Sequence, residues 1–305
     1  MGSHTGEAWP ELPYDAFAPS AHLLHMTCQL AGKLRLLTPY EPHWANVPLE
    51  VTARGLSTGP LPEGAGAFAV ELDLVEHVLR VITSWGPSDG FALGPASVSE
   101  VYDRFIAALR AVGVTALVDP MPQEVADPVP CDQDHAPRPY DARLVTAWWR
   151  ILLRSQAVMQ RYRARFLGVT PPIGLMWGTL DLRDVRYLGP VLPSSPEQGY
   201  IFRNAMNRAQ AECGWWHGTP AYPRAAYYAF THPKPDGIAR AALPAGGWDA
   251  GLGEFLLDYD DVRRADDPEA TLLAFLESTY AAGAERCGWP ADLVTSGVPE
   301  PGGAA

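Results

Sequence analysis

Apolar positions along residues 17–36 recur at helical spacing. At about 100° per residue, Leu23, Leu24, Thr27, Leu30, Ala31 and Leu34 fall on one face. His22, His25, Gln29 and Lys33 share the opposite stripe, which is either a solvent face or the lining of a cavity. No Asp or Glu interrupts that stripe, whereas exposed faces usually mix signs. Residues 47–58, rich in Val, Leu and Thr, predict a well-covered strand. From Phe68 to Ile82 apolar and polar residues alternate, which predicts a half-buried antiparallel hairpin. Ser97-Val98-Ser99-Glu100 is a helix start, and Val101, Phe105, Leu109 and Val112 carry that helix to Gly113. A second long helix is predicted over 141–166, with Leu144, Trp148, Leu152, Val158, Met159, Tyr162 and Phe166 as its apolar stripe. Met176–Leu188 reads as a strand or hairpin, and Tyr222–Thr231 and Glu254–Leu257 as strands. Asp267-Pro268-Glu269 opens a last helix that runs to about Gly288.

Two stretches echo each other. Tyr14-Asp15-Ala16 and Tyr140-Asp141-Ala142 each open a helix that leads into prolines, a tryptophan and strand-like runs. The expected fold class is therefore α+β: two pseudo-repeats of helix, mainly antiparallel strands and helix, packed around a shared pocket. The expected boundaries are 1–118 for the first unit, 119–139 for a connector, 140–290 for the second unit and 291–305 for a flexible tail. Six prolines keep the connector from being helical throughout.

Composition narrows the function. The 305 residues include 47% apolar side chains, enough for a sizeable core, and carry a formal charge of −12. Nucleic-acid binding would need a local basic patch. The densest one, Arg150, Arg154, Arg161, Arg163 and Arg165, has the spacing of a solvated helix flank. Four scattered cysteines without a CxxC pair suit reduced thiols in a cytoplasm. Neither a signal peptide nor a membrane-length apolar run is expected, so no membrane partner is foreseen. GxSxG, HExxH and P-loop patterns are absent, and Gly251-Leu252-Gly253 lacks the context of a nucleotide fingerprint.

Several constellations carry candidate chemistry, each with a structural alternative. His43-Trp44 and Met176-Trp177 place an imidazole and two indoles where they could wall a ligand or fill a core. Arg54 and Arg186 could clamp an anion or pair with nearby aspartates, and Lys33 and Arg35 add positive charge. Cys213-Gly214-Trp215-Trp216-His217-Gly218 has the makings of an aromatic lid or an ordinary turn. Asp132-Gln133-Asp134-His135 reads as solvated linker.

The segments HWANVPLEVTARGLSTGPLP, PMPQEVADPVP, WGTLDL and GEFLL make the chain resemble an uncharacterised bacterial family, domain of unknown function 5996, over nearly its whole length. The resemblance implies that His25, Gln29, Lys33, Arg35, His43, Trp44, Arg54, Trp177, Gly178 and Asp181 are shared residues. It also implies that relatives carry His at the positions of Asn46 and Gly174, and His-Glu at Arg208 and Ala209, so this chain looks like a copy that has lost metal ligands. The expectation is an enzyme acting on a small organic molecule, in specialised-metabolite biosynthesis, by metal-free acid/base or conformational chemistry such as cyclisation, isomerisation or elimination. His25 and His43 would transfer protons, while Lys33, Arg35, Trp44, Arg54, Trp177, Asp181, Trp215, Trp216 and His217 would bind substrate. No cofactor is expected. The alternatives are a hydrolase or oxygenase holding a divalent metal on His22, His25, His43 or His217, and a non-catalytic small-molecule binder.

Overall fold

The computed structural model describes residues 7–193, 197 and 199–295. It is α+β, with two antiparallel sheets and helices packed on them. The chain divides into two compact units that interleave along the sequence. Unit 1 comprises Met1–Arg154, Gly174–Leu182 and His217–Arg224, and unit 2 the remainder. The 119–139 segment thus folds as part of unit 1. Among the described residues no helix is long and apolar enough to cross a membrane.

Unit 1 opens with α1 (Tyr14–Lys33), which has Asp15 in its first turn and Lys33 in its last, both favourable to the helix dipole. From Met26 to its last residue every side chain is buried, so α1 is a core helix rather than a half-exposed one. The polar stripe foreseen on α1 is accordingly covered. The unit 1 sheet contains β1 (Glu50–Thr52), β2 (Gly55–Ser57), β3 (Leu61–Glu63), β4 (Gly66–Asp73), β5 (Val78–Thr83) and β6 (Ser88–Ala92). Its order is β1-β2-β4-β5-β6, with β3 on β4. The single strand expected over 47–58 is a tight hairpin instead, since β1 pairs β2 with Thr52 opposite Gly55. Glycine is required at 55, because an added Cβ would lie 1.8 Å from the Leu72 carbonyl oxygen.

The expected 68–82 hairpin is β4–β5. Val70 faces Val81 and Leu72 faces Leu79, all four buried, while Glu71 faces Arg80. Its turn is fixed by Asp73, which accepts from the Val75 and Glu76 amides (3.0 and 2.9 Å) and from Arg54 Nε and Arg80 Nη1 (2.7 and 3.1 Å). Burial alone would raise the Asp73 carboxyl, but these donors together bring it down to about 2. Helix α2 (Val98–Ala111) begins at a complete Ser97/Glu100 capping box and packs on β6 and α1.

Helix α3 (Ala142–Arg163) passes from unit 1 into unit 2. It is followed by β7 (Gly174–Met176), whose Leu175 bridges Leu49 within unit 1, and by β8 (Asp181–Val191). In unit 2, β8 runs beside β9 (Arg208–Trp216), then β10 (Ala226–His232), β12 (Glu254–Asp258) and β11 (Gly247–Asp249). The short helix α4 (Tyr200–Ala205) joins β8 to β9, α5 (Tyr259–Arg263) leads from β12 to α6 (Pro268–Arg286), and α6 covers β9 and β10. Asp267 caps α6 by accepting from the Ala270 amide at 2.9 Å. Arg186 is buried beneath Tyr162, Tyr280 and Phe166, its guanidinium carbon 3.5, 4.3 and 4.9 Å from their ring centres. Of Cys213–Gly218, expected as a lid or an ordinary turn, Cys213–Trp216 are instead the end of β9, with Trp215 opposite Tyr227 in β10 and fully buried. Of the expected tail, Ala291–Leu293 form a 3-10 turn and Val294 bridges Phe166, and residues 296–305 lie outside the described residues.

Candidate functional site

The polar stripe of α1 is covered by the proline-rich segment that follows α2. Lys33 is 8% exposed; its Nζ donates to the carbonyl oxygens of Asp119, at 2.6 Å, and Met121. Gln29 is fully buried and pairs with one peptide as a strand neighbour would. Its Nε2 donates to the Gln123 carbonyl (2.7 Å), and its Oε1 accepts from the Gln123 amide (3.0 Å). Prolines leave that segment without ladder partners of its own, and α1 supplies them. Farther along it, Asp134 meets Arg138 at 2.9 Å and His22 at 3.5 Å, and His135 Nδ1 lies 2.8 Å from Ser99 Oγ. The Asp132–His135 stretch is solvated as expected at Asp132, Gln133 and His135, and is also tied to α1 and α2 through Asp134 and His135.

His25 is half-buried, with Nε2 between the carbonyl oxygens of Trp177 (3.1 Å) and Gly178 (3.0 Å). A carbonyl can only accept, so Nε2 carries the proton and Nδ1 the lone pair. Burial drives its pKa down to about 4; the two carbonyls oppose the shift and His22 adds to it. His217 meets Phe17 edge-on at 5.5 Å between ring centres, and its Nδ1 is enclosed without a hydrogen-bond partner. Burial, and then the charge of His25, push His217 to about 4 as well. Two neutral imidazoles are the result.

The turn from β7 to β8 organises the rest. Trp177 lies against Gly32 of α1 and donates its indole N–H to the Val47 carbonyl at 3.0 Å. Leu180 has φ 59°, and its amide closes the turn onto Met176 at 2.8 Å. Gly178 leaves room for Glu124, because a Cβ there would come within 2.3 Å of Glu124 Oε2. Glu124 itself has φ 56°, a conformation a β-carbon disfavours and one that recurs at functional sites. Asp181 is 8% exposed and accepts from Thr179 Oγ1. Burial, then the charge of Asp181, raise the Glu124 pKa. A neutral imidazole and a carboxyl with a raised pKa thus both lie against Gly178.

Of the residues singled out in the sequence, His25, Trp177, Asp181 and Lys33 come together here, while His217 joins through its coupling to His25. His43 and Trp44 lie on a 3-10 turn, Pro42–Trp44, with φ of 66° and 58°; Trp44 is buried and meets Tyr40 edge-on at 5.8 Å. Arg35 donates to the Thr58 carbonyl at 2.5 Å beside Glu50. Arg54 lies in the hairpin cluster with Asp73 (2.7 Å) and Glu76 (3.0 Å), which is the structural pairing rather than an anion clamp. Arg54→Ala is therefore expected to leave ligand binding unchanged and to lower the thermal midpoint less than Asp73→Ala, as parallel melts would check. Trp215 and Trp216 belong to unit 2.

Among the described residues no three His, Cys, Asp or Glu side chains converge as metal donors. Asn46 is engaged by the Glu41 amide and Thr38, and a Cβ at Gly174 would come within 2.6 Å of Pro48 Cβ. A model for a family of unknown function, DUF5996, matches residues 9–296. The chain belongs to this family. No curated protein and no solved structure matches. For this DUF5996 member, sequence reasoning missed Glu124. It sits in a segment whose prolines read as spacer, and the PMPQEVADPVP run that carries the family resemblance was the available signal.

Proposed function

We propose that unit 1 carries a metal-free acid/base centre that moves protons on a small organic molecule, an isomerisation or elimination of the kind used in specialised-metabolite biosynthesis. The observation that supports it best is His25. Its Nε2 is committed to two backbone carbonyls, leaving Nδ1 as a lone pair on a ring that stays neutral at working pH. Such a base is never lost to protonation near neutrality. Its weak basicity suits an acidic proton, from a hydroxyl or an activated C–H. Glu124, beside Gly178 with its pKa raised, is the group that returns a proton.

The charges around the site narrow the substrate. Lys33 and Arg54 are engaged by protein oxygens, whereas Asp181 brings negative charge. A neutral molecule fits better than an anion. The test is incubation of the purified protein with a metabolite extract in D2O, followed by mass spectrometry. Wild type should place deuterium in specific metabolites, and His25→Ala should cut the rate by about 10²–10⁴. A metabolite that binds and returns without deuterium or rearrangement would favour a non-catalytic binder.

A further inference from the structure

The segment after α2 forms a loop with a firm neck and a loosely held tip, all within unit 1. The Cys131 amide closes the neck by donating to the Pro120 carbonyl at 2.8 Å, and Cys131 is fully buried. Lys33 pins the near arm through the Asp119 and Met121 carbonyls, and Pro120 and Pro122 stiffen it. Next along, Gln29 holds the Gln123 peptide through its carbonyl and its amide, at 2.7 and 3.0 Å. Among the described residues, none from Glu124 to Val129 makes a hydrogen bond. Ala126–Val129 are exposed, and Glu124 and Asp127 have φ of 56° and 48°, a region that a β-carbon disfavours. Compact surface loops with a closed neck are often functional, and weakly bonded segments open locally.

The residue that holds the tip also touches the base. Gln29 Nε2 lies 3.3 Å from His25 Nε2 and donates at 3.3 Å to the Gly178 carbonyl, which His25 Nε2 meets at 3.0 Å. Glu124, the first residue past the latch, lies against the same glycine. The loop therefore covers Gln29 and Gly178, the groups in contact with His25. We propose that Pro120–Cys131 is a lid. When Gln29 releases the Gln123 peptide, the stretch from Gln123 to Val129 lifts about the neck and admits substrate to His25. Closure returns Glu124 to Gly178 and shuts out water. The inference rests on the acid/base reading and adds how that site is entered and completed. Opening breaks two neutral hydrogen bonds that water can replace, which makes the open form a minor but accessible state. The charged Lys33 bonds at the near arm are the stronger ones and stay made, so the neck acts as the hinge.

Wild-type protein supplies the first test. In amide hydrogen exchange at low urea, the Gln123 N–H should exchange through a local opening whose rate urea leaves unchanged, whereas Leu72 in β4 should exchange through urea-sensitive unfolding. A Gln123 amide as slow and as urea-sensitive as Leu72 overturns the lid, and this measurement needs no variant to fold. The second test is access to His25, read as carbethoxylation by diethyl pyrocarbonate with peptide mass spectrometry. Gln29→Leu should speed that labelling about tenfold, the factor for one net hydrogen bond. A Cβ at Gly178 would stand 3.7 Å from Glu124 Cγ, so the double variant Glu124→Cys, Gly178→Cys can be joined by oxidation. Its oxidised form should label at His25 about tenfold more slowly than its reduced form. Equal labelling of wild type and Gln29→Leu, or of the oxidised and reduced double variant, also overturns the lid. If labelling responds as expected but wild type incorporates no deuterium from D2O, the lid stands and the acid/base reading falls. If deuterium enters while labelling does not respond, the acid/base reading stands and the lid falls.

Discussion

Gly32→Ala should destabilise the protein by about 2–3 kcal/mol, although alanine is the better helix former by about 1 kcal/mol. The inverted sign follows from Trp177. A Cβ at position 32 would stand 2.1, 2.3 and 2.6 Å from Cγ, Cδ1 and Cδ2 of its indole, far inside van der Waals contact. The indole is 5% exposed and anchored through Nε1 to the Val47 carbonyl, so it has nowhere to turn. Relief must come from moving the Trp177–Gly178 backbone, whose carbonyls hold His25. Urea unfolding measures the loss, and the His25 Nε2–H resonance should shift with it. Gly94→Ala is the matched control, since a Cβ there meets nothing within 4 Å, and it should be near neutral. A Gly32→Ala protein as stable as wild type would mean that Trp177 does not press on α1.

That contact joins residues far apart in sequence, and the same distance explains what the sequence displayed and what it hid. Local rules were legible. The alternation over β4–β5, the Ser97 capping box and the Asp267 cap each depend on residues within a few positions of one another, and each stands as read. Half of the candidate site was legible too, because helical spacing alone grouped His25, Gln29 and Lys33. What covers that stripe was not. Gln29 takes its partner from Gln123, 94 residues on, and prolines in that stretch announce irregular backbone without saying where it lies. Arg54 misled for a related reason. As a lone cation after a strand it resembles an anion clamp, yet Asp73 and Arg80 reach it only once β2 and β5 flank β4. In Cys213–Trp216 the glycine and indoles suggested mobility, but the ladder with β10 fixes the segment as strand.

Acidification should destabilise the fold through the two neutral histidines. His25 and His217 lie at about 4 in the folded protein against 6.5 ordinarily, so the unfolded chain takes up protons first as the pH falls. Their contribution is fully present above pH 6.5, declines as the pH drops toward 4, and is spent below it. At about 1.4 kcal/mol per pKa unit, each contributes at most about 3.5 kcal/mol, and their mutual repulsion spreads the loss over two steps. Asp184 in unit 2 opposes the trend. Burial pushes it up to about 6 despite the nearby Arg186 and Arg163, so its protonation favours the folded state from about pH 6 down to its ordinary 3.8. The wild-type curve is thus a sum of opposed terms, and only variants isolate the histidines. Urea unfolding at pH 7.5 and 4.5 should show a smaller difference for His217→Gln than for wild type, and a smaller one still when His25→Gln is added. Equal differences in all three proteins would place the imidazoles in ordinary solvent contact. That result would remove the neutral base on which the proposed chemistry depends.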